Sequence, residues 1–420
     1  MAAVKRLWTG RKGAAPALLC AMLLLSPASH ATGGWVIERE ERPDSPLLKD
    51  RKSIALTPAQ QEQQQLAAAY EQALQAEQKR IREHWSIPET SSQTRWITYS
   101  ADYSAKKAVD FEHNQVEISI DGIHNGGRLD FAAMARKVQG ELEDTLGTSL
   151  QKAMQRDPVQ VALQQTFRSS GASETSAEAG VELVLKELFT SLRPSESDVR
   201  ARAAALMRNA SIRYQALSAS LASVPVNTGK KLTYVIPLPD NRIRKKVLEY
   251  KPLVSRSAQR FALSEDIIMA IIHTESHFNP LARSHVPAFG LMQIVPSTAG
   301  RDATIKLYQE ERLLAPEYLF NPKQNIEVGA AYLSVLYYEY LKDIKNPDSR
   351  LYFTIAAYNA GASSAARAFV DNPSFQDAVD AINRMPPEQV LERLVRNSPR
   401  EETRLYVEKV LKRRNFYTRL

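Results

Sequence analysis

The sequence predicts an α+β chain, with a mostly helical C-terminal portion preceded by a smaller α+β portion that holds a small antiparallel sheet. Three observations carry this. Residues 95–120 alternate or run β-branched, the mark of strands. Residues 57–85 are rich in Gln, Ala and Glu and read as one long helix. Residues 264–276 hold an almost wholly apolar run that reads as a buried helix. At 420 residues, two folded domains are expected.

The first segment has Lys5, Arg6, Arg11 and Lys12, then an apolar run from Ala14 to Leu25, then Ser29-His30-Ala31. Together these are a charged n-region, a short h-region and a small-residue cleavage site, so residues 1–31 are expected to be a signal peptide. The run is too short to span a bilayer as a mature helix. Cys20, the one cysteine, lies inside it. Ala17-Leu18-Leu19-Cys20 is a poor lipobox, because small residues should directly precede the cysteine, so no lipid anchor is expected. A mature chain from about Thr32 then has no disulfide and no thiolate metal site.

Residues 32–56 are polar and proline-containing and read as a flexible lead. Thr57-Pro58-Ala59-Gln60 is a capping box that opens the long helix, which runs to about Trp85. Strands are expected over Arg95–Tyr99, Ala108–Glu112 and Val116–Ile120, with His113-Asn114 as a turn. Leu129–Met154, Val159–Phe167, Ala177–Leu192 and Ser197–Tyr214 read as helices. Residues 216–230, rich in Ser and Ala and containing Pro225, read as a linker. Leu232–Ile236 is a short strand closed by Pro237-Leu238-Pro239. The expected organisation is therefore an N-terminal domain over 57–215, a linker and strand over 216–239, and a catalytic domain over 240–420.

Formal charge is +8, and removing the four basic residues of the first segment, which has no Asp or Glu, leaves 8 − 4 = +4. A mild positive excess suits an anionic polymer. No zinc-finger spacing or basic-aromatic RNA motif is evident, so nucleic acid is not expected as a partner. Lys412-Arg413-Arg414 and Arg419 read as a solvated, helix-ending cationic patch.

The chemistry concentrates near residue 275. Ser264 is a good N-cap, with Glu265 and Asp266 in the first turn. Ile268, Ile272 and Glu275 follow i, i+4, i+7 spacing, so Glu275 shares a face with core isoleucines. Asn279-Pro280 is expected to end the helix. Apolar neighbours and the negative end of the helix dipole both raise a carboxyl pKa, which a general acid needs near neutral pH. Gly290-Leu291-Met292-Gln293 follows as a turn with an amide. Ala357-Tyr358-Asn359-Ala360-Gly361 sets a phenol and an amide before a glycine. Tyr406 sits in Glu402–Val410 on a further helix. Amides for hydroxyl and N-acetyl groups, and aromatic rings for sugar faces, are what a saccharide site uses.

In this order, Glu-Ser-x-Phe-Asn-Pro, Gly-Leu-Met-Gln, Ala-Tyr-Asn-x-Gly and the late Tyr-Val-x-Lys-Val resemble the soluble lytic transglycosylase domain, a lysozyme-like fold, over about residues 240–420. Ala331-Tyr332-Leu333 fits the family's Ala-x-Tyr-Leu helix. Arg283–Gly290, Gly300-Arg301-Asp302 and, upstream, Val109-Asp110-Phe111-Glu112 look most like the family's membrane-bound murein transglycosylase C branch. The resemblance implies a periplasmic enzyme that needs no cofactor or metal and acts on peptidoglycan glycan strands. It implies cleavage of the β-1,4 bond between N-acetylmuramic acid and N-acetylglucosamine, with Glu275 as general acid and then base. The sugar's own C6 hydroxyl, not water, would close a 1,6-anhydro ring. Ser276, Gln293, Tyr332, Tyr358, Asn359 and Tyr406 become the candidate substrate-binding residues. Ser276 and Tyr358 could hold Glu275, and Tyr406 could orient it or line a subsite. An ordinary muramidase that uses water, and a wall-binding protein without turnover, are the alternatives.

Overall fold

The computed structural model describes residues 58–169, 181–214, 231–370 and 374–419. The expected signal peptide, Cys20, the lead, Thr57 and residues 216–230 of the expected linker lie outside the described residues.

Helix α1 (Pro58–Arg82) buries one stripe, Leu66, Tyr70, Ala73, Glu77 and Ile81, and leaves most of its remaining surface wet. That stripe is what its polar composition allows. Strands β1 (Arg95–Tyr99), β2 (Ala105–Asp110) and β3 (Gln115–Asp121) form an antiparallel meander. Asn114, in the β2–β3 turn, takes a left-handed conformation at φ 54°, which asparagine tolerates well. After the two-residue strands β4 (His124–Asn125) and β5 (Arg128–Leu129), helix α2 (Phe131–Leu146) packs Met134, Val138 and Leu142 on the sheet. Helices α3 (Leu150–Arg156) and α4 (Pro158–Ser169) follow.

Three elements differ from the sequence reading. The helix expected over 129–154 breaks after Leu146, because Ser149 starts a new one by accepting from the Lys152 N–H. Within 181–192 the only helical piece is a short 3₁₀ turn, Lys186–Leu188. The helix expected over 197–214 ends early: α5 (Glu196–Met207) is followed by strand β6 (Ser211–Tyr214). Ile212 and Tyr214 favour a strand, and a short edge position was open to them.

Strand β7 (Lys231–Pro237) lies between β3 and β6, so the five-stranded antiparallel sheet runs β1-β2-β3-β7-β6. Val116, Ile118 and Ile120 of β3 face Ile236, Tyr234 and Leu232, and all are buried. The strand inside the expected linker is thus an inner strand of the N-terminal sheet. Helix α6 (Arg242–Phe261) follows and is stitched to that sheet. Arg242, fully buried, donates to the Phe111 carbonyl at 2.8 Å and to Asn114 Oδ1 at 2.6 Å. Lys246 lies 3.0 Å from Glu187 and 3.2 Å from Glu249. Buried charges persist only when paired this closely. The described residues all fall within one compact unit.

The helical portion continues with α7 (Glu265–Ser276), α8 (Arg301–Tyr308), α9 (Pro316–Leu319), α10 (Pro322–Val335), α11 (Pro347–Ala360), α12 (Ala362–Ala366), α13 (Phe375–Asn383), α14 (Pro387–Asn397) and α15 (Glu401–Tyr417). Helix α7 is the buried one, packed by α6 and α15. Among the described residues no helix is long and apolar enough to cross a membrane.

Candidate active site

Helix α7 owes its depth to Ile267–Ile272, every one of them buried. Ser264 occupies the N-cap in extended conformation, although its hydroxyl makes no capping bond to the helix backbone. The helix stops before Asn279-Pro280 is reached. His277 and Phe278 both turn left-handed, at φ 49° and 64°, and the His277 N–H returns to the His273 carbonyl. Asn279 is buried, donating to the Gln93 carbonyl at 3.1 Å and accepting from the Leu281 N–H at 3.0 Å. Tyr70 of α1 donates to the Ser284 carbonyl at 2.8 Å. The turn after Glu275 is therefore braced by the N-terminal portion.

Glu275 sits in the last turn of α7 and is only 7% exposed. The Tyr406 hydroxyl, from α15, donates to its Oε1 at 2.6 Å. Burial lifts its pKa from 4.5 to about 8; the Tyr406 bond opposes the rise, and the charge of exposed Glu402 adds to it. Near neutral pH this carboxyl is mostly protonated, ready to give up a proton.

The sequence reading offered Ser276, Tyr358 and Tyr406 as partners of Glu275, with Tyr358 preferred, and the geometry places the Ser276 and Tyr358 hydroxyls elsewhere. Ser276, one residue on and so rotated away, donates to the Ile272 carbonyl at 3.0 Å and the Leu291 carbonyl at 2.9 Å. Tyr358 donates to the Met292 carbonyl at 2.8 Å. Both hydroxyls hold the Gly290–Gln293 turn, and Tyr406 alone of the three bonds the carboxyl. Tyr358 still lies near enough for the Glu275 charge to raise its pKa further, after burial. Its ring meets Tyr332 of α10 at 5.5 Å, with planes tilted by 52°.

Gly290 has φ 78°, and a Cβ there would overlap the Leu319 carbonyl oxygen and the Asn325 amide. Gln293, also left-handed, donates from Nε2 to the Gly290 carbonyl at 2.9 Å. Its buried Oε1 has no hydrogen-bond partner among the described residues. Asn359 accepts from the Thr403 hydroxyl at 2.8 Å, which joins α11 to α15.

Asn325 escaped the sequence reading. Fully buried in α10, its Oδ1 accepts from the Met292 N–H at 2.7 Å. Its Nδ2 donates to the carbonyls of Phe289 at 2.9 Å and Leu319 at 2.8 Å. One amide thus satisfies three backbone groups of an irregular buried segment. A lone Asn in a helix gives no signal for this; the apolar residues around it, from Ile326 to Leu333, were the only hint of burial.

Residues 252–380 match the family of the Transglycosylase SLT domain. Over that segment the chain resembles an SLT domain. Glu275, Gln293, Tyr332, Tyr358 and Asn359 fall inside the matched SLT segment, whereas Tyr406 lies beyond it. The chain is 39% identical over 196 residues to membrane-bound lytic murein transglycosylase C of Actinobacillus succinogenes, covering 46% of this chain and 54% of that protein. It is 42% identical over 184 residues to the protein of that name from Pectobacterium atrosepticum, covering 44% and 51%. The chain thus spans about half the length of the curated relatives it matches. The 70 kDa soluble lytic transglycosylase of Escherichia coli, a solved structure, is 29% identical over 42% of this chain and 25% of its own, with a TM-score of 0.33. The SLT assignment agrees with the mostly helical α+β architecture described above.

Proposed function

We propose that this protein is a peptidoglycan lytic transglycosylase of the bacterial envelope, cleaving the β-1,4 bond between N-acetylmuramic acid and N-acetylglucosamine. The observation that carries the reading is a buried Glu275, bonded by the Tyr406 hydroxyl, inside the segment that matches the SLT family. In the first step the Glu275 carboxyl gives its proton to the glycosidic oxygen as the C1–O bond breaks, and the N-acetyl group supports the electron-poor C1. The Glu275 carboxylate then takes the proton of the C6 hydroxyl, and O6 closes on C1. Atoms balance without water: one bond to C1 is exchanged for another, and the carboxyl is regenerated.

Gln293, whose Oε1 has no hydrogen-bond partner among the described residues, and Asn359 are the proposed contacts to hydroxyl or N-acetyl groups, and Tyr332 offers a ring face. Tyr406 orients the acid, while Ser276 and Tyr358 hold the turn that carries Gln293. The relatives are named membrane-bound murein enzymes, which supports placement at the periplasmic wall.

A second reading, hydrolysis by water, draws on Glu402, whose charge reaches Glu275. Hydrolases use a second carboxylate to stabilise the cation or activate water. Mass spectrometry of muropeptides released by the purified protein decides between them. Anhydro ends, lighter by one water, are expected; reducing ends would establish the hydrolase, and no release at all would leave a wall-binding protein.

A further inference from the structure

We propose that Arg413 is a positioning residue of this site. By donating to His277 Nε2 it fixes the left-handed turn that closes α7, and it keeps that imidazole uncharged two residues from the acid. The inference rests on the catalytic reading of Glu275 for its functional part only.

Tyr406 and Arg413 are seven residues apart on α15, two helical turns, and so share the side that packs against α7. Arg413 Nη2 lies 2.9 Å from His277 Nε2. A guanidinium can only donate, so Nε2 accepts and the ring proton sits on Nδ1. One turn further along α15, the Tyr417 hydroxyl lies 2.8 Å from His273 Nδ1. The His273 and His277 rings meet edge to face at 5.0 Å. Three side chains of α15 thus grip Glu275, His277 and His273 in turn, and Arg414 holds Asp266 at the other end of α7 at 3.1 Å. The basic run expected to be a solvated patch splits: Lys412 is exposed, while Arg413 and Arg414 are partly buried and engaged with α7.

His277 needs such a hold. It is 9% exposed and caps α7 at φ 49°, a left-handed conformation uncommon outside glycine that histidine takes more readily than most residues. It packs against His273 and bonds Arg413, and it also feels the charges of Lys409 on α15, Arg242 on α6 and Asp110 at the end of β2. Cations predominate, and burial and then Arg413 hold its pKa down at about 3. Truncating Arg413 would admit water and remove one cation, both of which move the imidazole up towards its ordinary 6.5. A charged His277 would then stabilise the ionised form of Glu275, the reverse of what a general acid needs.

The test is nitrogen NMR of the histidines in the folded full chain, together with the pH profile of anhydro-product release. Wild-type His277 is expected to carry its proton on Nδ1 and to stay neutral through the mildly acidic range. In Arg413→Ala it should titrate there. kcat should fall roughly tenfold, with KM little changed, since the loss is one of alignment. A new loss of activity on the acid side should accompany it, and adding His277→Asn should abolish that acid-side loss. Arg413→Lys, which keeps the charge without the fork, should lie between wild type and Arg413→Ala. A wild-type His277 protonated on Nε2, or titrating near its ordinary pKa, overturns the proposal even if the alanine variant does not fold. So does a folded Arg413→Ala with wild-type kcat and pH profile. The spectrum needs no turnover, so it fails or stands independently of the product analysis.

Discussion

The Tyr406 hydroxyl lies 2.6 Å from Glu275 Oε1, although the two residues are 131 positions apart and on different helices. The bond is buried, so water cannot replace it at equal strength. Tyr406→Phe is expected to lower turnover by about tenfold or more while leaving wall binding nearly intact. It should also raise the Glu275 pKa further, because the phenol is the one contact holding it down. Tyr358→Phe should act more weakly, through the turn it supports at Met292. Product-release kinetics of the two variants side by side would check the order.

Glu275→Gln keeps size and polarity but carries no transferable proton. Activity should fall by roughly 100-fold or more. Muropeptide release by the folded variant within a few-fold of wild type would remove Glu275 from the acid role.

The same carboxyl sets a pH dependence. Its folded pKa, about 8, stands above the ordinary 4.5, so the folded chain holds a proton that the unfolded chain has lost. Stability should therefore fall as pH rises from about 4.5 to about 8, by an amount on the order of a few kcal/mol. Glu275→Gln should be the more thermostable protein at pH 8 and lose that advantage in acid, as read by thermal melts across pH. Activity should decline as pH passes about 8, where the acid form is lost.

Buried histidines act at the other end. His273 and His277 are both held at about 3, below their ordinary 6.5. Below that ordinary value the unfolded chain takes up protons that the folded chain refuses, so stability should drop as pH falls from 6.5 towards 3. Replacing His273 and His277 together by Asn should flatten this acid limb in the same melts.

Asn325→Leu would strand the Met292 N–H and the Leu319 carbonyl, and would leave the Phe289 carbonyl with only the Ile294 N–H. At about 1–3 kcal/mol for each unmet buried group, a loss of several kcal/mol is expected, with activity falling alongside as the Gln293 turn loosens. A denaturant midpoint within experimental error of wild type would show that the segment finds other partners.

The buried helix α7 was legible in the sequence as an apolar run, but that run alone left Glu275 open to a solvent-facing reading, and only the later Gly-Leu-Met-Gln, Ala-Tyr-Asn-x-Gly and Tyr-Val-x-Lys-Val blocks singled it out. The meander was legible from period-2 alternation. Which hydroxyl reaches the carboxyl was not. Ser276, Tyr358 and Tyr406 are all plausible donors in one dimension, and only helix packing separates them. The same limit hid Asn325 and the Arg413–His277 pair, whose partners lie 33 and 136 positions away. Strand β6 was misread because helix propensity in residues 197–207 ran on into a segment that an open sheet edge then claimed.

The position of β7 has a consequence for synthesis. A nascent chain that ends at Tyr214 already holds β1, β2 and β3, yet β3 has its inner neighbour only once residues 231–237 leave the ribosome. Until then a hydrophobic edge built on Val116, Ile118 and Ile120 stands open to any passing strand. The N-terminal portion should consequently be insoluble when expressed to residue 215 and soluble when extended through Pro237.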